Sequence, residues 1–358
     1  MKADQKSAYA DAGVDIDAQD RALGKIKKLV RSTFTDGVLS EPGSFGGLFR
    51  PPVEGLEEPV LVASADGVGT KLMVARMAGD FSTVGQDLVN HCVNDILVQG
   101  ARPLFFMDYV GAGVLEPASV VDLVSGVATA CKENGCALLG GEMAEMPGFY
   151  DRGDYELVGF ILGMVDRPRI LDGSRVRPRD LLIGLPSSGL HTNGYSLVRR
   201  VVFDKLGLSV GDRFPDTEIR DRVGKLLLAP HRTYLPAVGP LLDHPGLHAM
   251  AHITGGGLTE NIPRVLPKRT RAEIRIGTWR IPEIFHYLQE HGEISTEEMF
   301  RVFNMGVGMV LVIDPEAATE VFASLRDAGQ KAFPMGTVQE GGSGVVYDLG
   351  SSGDSTEQ

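Results

Sequence analysis

Tryptophan, cysteine and positive charge are scarce in this sequence of 358 residues, which has one Trp, three Cys, and 35 Lys and Arg against 47 Asp and Glu. Cys92, Cys131 and Cys136 form an odd set without CxxC or His-paired spacing. That excludes a disulfide scaffold and a zinc finger, and leaves reduced thiols. The formal net charge of −12 argues against a surface that wraps a polyanion. No nucleic-acid partner is expected, and any phosphate has to be held locally. No apolar run reaches bilayer length, and Met1 to Asp20 is polar and acidic rather than secretory. A cytoplasmic protein without a membrane partner is the expectation.

What remains is ample for a soluble fold, with 43% hydrophobic and 23% charged residues. The length exceeds one ordinary core, so two domains and an intervening cleft are expected. Glycine is in excess, 45 residues, or nearly twice the usual ~7%. Many backbone positions therefore need unusual dihedrals or close approach to a ligand.

The stretch around which the chain is organised is PVLVASADGVGTK, Pro59 to Lys71. Val60 to Ala63 reads as a buried strand that breaks into Asp66-Gly67-Val68-Gly69-Thr70-Lys71. Glycines at a strand end let backbone N–H groups approach an oxyanion, Lys71 can neutralise a phosphate, and Asp66 can hold a hard cation. A magnesium nucleotide is the implied ligand. The spacing matches neither Walker A nor GxGxxG, so an ordinary tight turn competes.

Before this motif, a helical pattern over Ala18 to Thr33 carries Lys25, Lys27 and Lys28, read as a solvated basic face or as an arm bringing Lys27 to a nucleotide. After it, Asp87, His91 and Asp95 fall at i, i+4 and i+8 on one helix face. Asp87 reads as a helix-start carboxylate favoured by the macrodipole and His91 as a satisfied core histidine. A carboxylate at Asp95 amid Val93, Ile96 and Leu97 demands a partner or a metal. Pro103 to Gly111 reads as a fully buried strand ending at Asp108, and Ala137 to Leu139 as a short strand that stops at Gly140-Gly141-Glu142. Tyr155 to Val165 closes the first domain. In the second, Ser187-Ser188-Gly189-Leu190-His191-Thr192-Asn193 precedes a helix, where hydroxyls and backbone N–H groups suit an anion. Thr254 followed by Gly255, Gly256 and Gly257 repeats the design.

Together YADAGVDIDA, DGVGTK, VNDILVQGA, PLFFMDY, GGEMAEMPG, SSGLHTNGYSLVRR, HITGGGLTENIPRVLP and FNMGVGM resemble the phosphoribosylformylglycinamidine cyclo-ligase family, the aminoimidazole ribonucleotide (AIR) synthetases of purine biosynthesis. The likeness runs from Tyr9 to about Val338. It implies an α/β fold of α+β type in two domains: residues 1–167, whose strands form a β-barrel with a second copy in a homodimer, and 168–345, an α/β sandwich, with a polar tail over 346–358. The implied reaction is the ATP-dependent cyclisation of formylglycinamidine ribonucleotide (FGAM) to AIR with ADP and phosphate, through phosphorylation of the formyl oxygen. On this resemblance Asp66 and Asp95, with Glu142, hold Mg2+. Lys27, Gly67, Gly69, Thr70 and Lys71 bind ATP. His191 and Asn193 meet the substrate, with proton transfer proposed for His191, and Glu142, Ser187, Ser188 and Gly255 to Gly257 complete its site. Asp66, Asp95 and His191 are the expected catalytic set. Met143 stands where the family carries Thr after Gly-Gly-Glu, which removes a hydroxyl.

Two relatives on the same scaffold fit less well. A selenophosphate synthetase is expected to carry a reactive Cys in its N-terminal arm, and a hydrogenase-maturation protein to end in Cys; here the first cysteine is Cys92 and the sequence ends Ser355-Thr356-Glu357-Gln358. Thiamine-monophosphate kinase is a further relative. A catalytically silent nucleotide-binding module is the reading from another class, and the presence of Asp66, Lys71, Asp95 and Glu142 argues against it.

Overall fold

The structure, a computed structural model, describes residues 16–348. The acidic opening before residue 16 and the end of the chain after 348 lie outside the described residues.

The first sheet has the order β1 (Pro59–Gly67), β4 (Tyr155–Asp166), β2 (Arg102–Ala112), β3 (Ala137–Glu145). Only β2 and β3 run parallel. Helices Val84–Leu97 and Pro117–Glu133 cover one face of it. They cross where Gly85 meets Gly126: a Cβ on Gly85 would lie 2.3 Å from the Leu123 carbonyl oxygen, so only glycine permits the approach. The other face is open, with Leu61, Met107 and Phe160 exposed.

Two expectations are corrected here. β2 does not end at Asp108 and is not fully buried, because alternate residues such as Met107 point to the open face. β3 does not stop at Gly140-Gly141-Glu142 but runs through it, pairing Asp108 with Gly141 and Tyr109 with Glu142. The Asp108 carboxylate occupies the place of a Gly141 side chain, 1.9 Å from where its Cβ would be, so the glycine that looks like punctuation keeps the strand in register.

The second sheet has the order β10 (Val345–Asp348), β7 (Thr270–Arg275), β9 (Phe333–Glu340), β5 (Leu181–Pro186), β8 (Val307–Ile313), β6 (Leu247–His252). β8 is buried throughout because both faces are covered. Met309, Leu311 and Ile313 join one apolar layer with Val321 and Leu325, while Val310 and Val312 join the other with Val198, Leu258 and Phe303. Val345–Asp348 pairs in parallel with β7, so residues assigned to the polar tail belong to the sheet.

The domains dock through helix Val84–Leu97, whose buried polar side chains capture backbone of the second domain. Asn90 Nδ2 donates to the His231 carbonyl at 2.7 Å and Asn94 Nδ2 to that of Arg232 at 2.8 Å. Asp87 accepts from the His231 N–H at 2.6 Å. A short polar side chain on each turn thus satisfies a loop that packing would otherwise strip of water.

Candidate active site

Beside these docking residues, His91 and Asp95 of the same helix reach a cleft of about 500 Å³ between the domains. Asp66, at the end of β1, lines it together with Ser64, His91, Asp95, His252, Thr254, Asn261 and Arg264. His91 Nε2 donates to Asp66 Oδ2 at 2.8 Å, and the Gly67 N–H donates to Asp66 Oδ1 at 2.6 Å. Across the cleft, His252 Nδ1 donates to Asp95 Oδ1 at 2.8 Å and Ser64 Oγ to Asp95 Oδ2 at 3.1 Å.

Burial raises carboxyl pKa values, but here the imidazole hydrogen bonds overcome it. Asp66, held by His91, and Asp95, held by His252, both titrate below the ordinary carboxylate range. Burial likewise opposes charge on His91, yet the Asp66 hydrogen bond and the fields of Asp95 and Asp66 raise its pKa above 6.5. In His252 burial wins over Asp95 and the pKa falls. The cleft therefore presents two ionised carboxylates, 40% and 28% exposed, beside an imidazole whose charged form they favour.

This arrangement fits a hard, oxygen-seeking cation, since both carboxylates are charged and retain lone pairs toward the cleft. His91, Asp95 and His252 also bring ligand atoms within 4.8 Å of one another. An imidazole metal centre does not follow, because both nitrogens of each ring already serve hydrogen bonds: His91 Nδ1 to Thr192 Oγ1 at 2.9 Å and His252 Nε2 to His231 Nε2 at 3.0 Å complete them.

Other expected residues lie elsewhere. Lys71 is wholly buried: its Nζ donates to Asp87 at 2.8 Å and to the carbonyls of Ala229, at 2.8 Å, and His191, at 3.1 Å. With its three protons committed, it has none for a phosphate, and it joins the domains instead. Asp87 stands in the first turn of its helix, as expected, and is also an interior ion-pair partner; burial pushes it up to about 6 against the pull of Lys71. Gly67, Gly69 and Thr70 stay at the corner, with Thr70 Oγ1 3.3 Å from Ser196 Oγ.

Glu142 is exposed on β3, three interstrand steps or about 14 Å from the strand that carries Asp66. Within one chain it is not a third ligand beside Asp66 and Asp95. Lys27, exposed on the helix Ile16–Arg31 that packs on β3, stands on the same far side.

His191 does not line the cleft. Its backbone is left-handed, with φ 60°, and its ring stacks on His231 at 3.9 Å. Its Nε2 accepts from the Ser188 N–H at 3.2 Å, and its Nδ1 is buried without a partner. Burial keeps it neutral, its pKa well below 6.5. Ser187 Oγ donates to the Gly189 carbonyl at 2.9 Å, and Ser188 Oγ to that of Pro230 at 2.5 Å. Asn193, by contrast, meets the glycine loop: its Oδ1 lies 3.4 Å from where a Gly255 Cβ would be, and its Nδ2 is buried and unpaired. Gly256 and Gly257 have φ of +96° and +57°, and Asn261 Nδ2 donates to the Gly257 carbonyl at 2.9 Å.

Sequence reasoning missed His231, His252 and Arg264; His91 is the satisfied buried histidine it expected, bonded through both ring nitrogens. His252 carried a signal, standing at a strand end two residues before Thr254 and the glycine run. His231 carried none, since a histidine between Pro230 and Arg232 has no periodicity to read.

The chain is 48% identical over 334 residues to the phosphoribosylformylglycinamidine cyclo-ligase of Trichlorobacter lovleyi, covering 93% of this chain and 95% of that one. With the Geobacter metallireducens protein of the same name it shares 50% over 332 residues, or 92% and 94% of the two chains. It belongs to the phosphoribosylformylglycinamidine cyclo-ligase family. Both domains of that family are represented: residues 53–165 match the AIR synthase related protein, N-terminal domain, and residues 177–348 match the C-terminal domain. The fold extends to more distant proteins. Thiamine-monophosphate kinase from Stenotrophomonas maltophilia K279a superposes with a TM-score of 0.64 at 16% identity, over 92% and 95% of the chains. Hydrogenase maturation protein HypE in complex with ATP does so at 0.61 and 17%, over 90% and 86%. Among the described residues of this cyclo-ligase family member, no helix is long and apolar enough to cross a membrane.

Proposed function

We propose that the chain closes the imidazole ring of purine biosynthesis, converting FGAM and ATP to AIR, ADP and phosphate. The observation that carries this reading is the pair of ionised carboxylates, Asp66 and Asp95, facing one interdomain cleft in a chain of this family. The γ-phosphoryl group passes to the formyl oxygen and the bond to ADP breaks. The amidine nitrogen then attacks the same carbon, phosphate departs with that oxygen, and the nitrogen loses a proton. Such chemistry asks a protein for positioning and charge neutralisation more than for a nucleophile.

Asp66 and Asp95 hold magnesium, which supplies neutralisation of the triphosphate charge. Gly67, Gly69 and Thr70 border the nucleotide. For the substrate, Gly255 to Gly257 with Asn193 and Arg264 are favoured over Ser187 and Ser188, whose hydroxyls are already bonded within the chain.

A homodimer belongs to the same proposal. β1 and β3 are open edges, and the uncovered sheet face carries Leu61, Met107 and Phe160, a combination that invites a second copy. Pairing β1 of each copy with β3 of the other closes a barrel and carries Lys27 and Glu142 toward the other copy's Asp66.

The test is ADP release from magnesium ATP with and without FGAM, read beside a colour assay for the aminoimidazole. FGAM-dependent release that matches product is the expected result. ATP binding without FGAM-dependent ADP overturns the proposal in favour of a silent module or another acceptor.

A further inference from the structure

Behind the cleft, its two carboxylates are joined by an unbroken circuit of hydrogen bonds whose middle members the cyclisation leaves unused. Asp66 Oδ2 meets His91 Nε2 at 2.8 Å, and His91 Nδ1 meets Thr192 Oγ1 at 2.9 Å. Thr192 Oγ1 meets His231 Nδ1 at 3.4 Å, and His231 Nε2 meets His252 Nε2 at 3.0 Å. His252 Nδ1 returns to Asp95 Oδ1 at 2.8 Å. The first domain supplies Asp66, His91 and Asp95, and the second supplies Thr192, His231 and His252. The circuit exists only while the domains are docked as they are here.

Its protons are strongly constrained. A carboxylate only accepts, so His91 Nε2 and His252 Nδ1 both carry hydrogen. Filling the three inner contacts then takes one more proton on one of the three rings. With His91 doubly protonated, donors run from His91 to Thr192, from Thr192 to His231 and from His231 to His252; with His252 doubly protonated, every one of them reverses; with His231 doubly protonated, it donates to Thr192 and to His252, and Thr192 donates to His91. In each case the Thr192 hydroxyl is the joint, since it accepts from one ring and donates to the other. A methyl group in its place would leave two ring nitrogens, deep between the domains, without partners.

We propose that Thr192 is a positioning residue for the metal-binding carboxylates: through His91 on one side and His231 on the other, its hydroxyl sets the ring orientations that aim Asp66 and Asp95 into the cleft. The inference rests on the magnesium-ATP reading above. Groups that orient metal-ligating side chains typically matter by 10–100-fold in affinity.

The experiment uses the full chain, with Mn2+ and a non-hydrolysable ATP analogue as the probe and electron paramagnetic resonance as the readout. Thr192→Val, which keeps shape and deletes the hydroxyl, is expected to weaken Mn2+ binding about tenfold. Thr192→Ser, which restores the hydroxyl, is expected to bind within about twofold of the parent. Mn2+ binding unchanged in Thr192→Val, or equally weak in Thr192→Ser, overturns the proposal. Should the valine variant not fold, Thr192→Ala takes its place: Mn2+ binding about tenfold weaker in Thr192→Ala than in Thr192→Ser supports the positioning role, and equal binding in the two overturns it. An Mn2+ effect without FGAM-dependent ADP release in the parent leaves the positioning role standing and removes the cyclisation. The converse result removes only the positioning role.

Discussion

Two ion pairs join the same two elements, the strand-turn-helix corner at Asp66 to Lys71 and the helix Val84–Leu97, and they have become different things. Lys71 and Asp87 form a pair that water does not reach, 0% exposed on both sides and stitched to the second domain. His91 and Asp66, one turn further along the helix, form a pair of which the carboxylate is 40% exposed. In the first, every charge is consumed by protein groups, and burial leaves Asp87 pushed up to about 6. In the second, the carboxylate is held below its ordinary range with lone pairs to spare. A charged pair turns into scaffold where the second domain covers it and into chemistry where that domain stops short.

Substitution separates these roles. Asp66→Asn should lower magnesium-dependent ADP release by about a thousandfold, the loss of several kcal/mol of charge stabilisation, while leaving the melting temperature nearly unchanged. Activity at the parent level would remove Asp66 from the metal site and break the comparison. Lys71→Met should act the other way, costing about 3–5 kcal/mol in urea unfolding because it strands a buried carboxylate, and adding Asp87→Asn, which removes the charge and keeps an acceptor for the His231 N–H, should restore most of that. A double variant as unstable as the single one would mean that the pair is not the cause.

Asp108 extends the series to a carboxylate with no cationic partner among the described residues, and burial pushes it up to about 7. Its folded pKa lies above the ordinary value of 3.8. The charged form is therefore disfavoured in the fold: the penalty is absent below about pH 4, grows as pH rises toward 7 and is constant above. Asp108→Asn should raise stability at pH 8 by on the order of 2 kcal/mol, an advantage that fades as pH falls to 4 in unfolding curves. A gain independent of pH would assign the effect to packing. The smallest change is expected at Ser196→Ala, which deletes the contact with Thr70: an exposed interdomain hydroxyl pair should be worth at most about 1 kcal/mol in the same unfolding measurement.

Much of the fold was legible because it is written locally. The run at β1, the alternation in β4 and the wholly apolar β8 each announce a strand, and Asp95 announces a partner because an unpaired carboxylate among Val93, Ile96 and Leu97 is too costly to leave alone. β3 was misread for an equally local reason. Gly140-Gly141 carries a turn signal, and only the Asp108 carboxylate lying over Gly141 on the neighbouring strand reveals it as strand interior.

The site was legible by type but not by role. Asp66 and Asp95 were found as metal candidates and do share a cleft, but the residues that orient them come from positions 91, 192, 231 and 252, brought together by docking. Lys71 illustrates the same boundary. Its motif says that an ammonium follows a glycine turn, and nothing nearby in sequence says that carbonyls 120 and 158 residues later will consume its protons.

By itself, then, the amino-acid sequence determined most of the strands and helices, the family and the identity of the cleft carboxylates, all of which follow from neighbours along the chain. Tertiary structure alone decided which charges stay wet, which histidines bridge them and which lysine is spent as scaffold. The reason is that desolvation depends on what covers a group, and here the cover comes from the other domain.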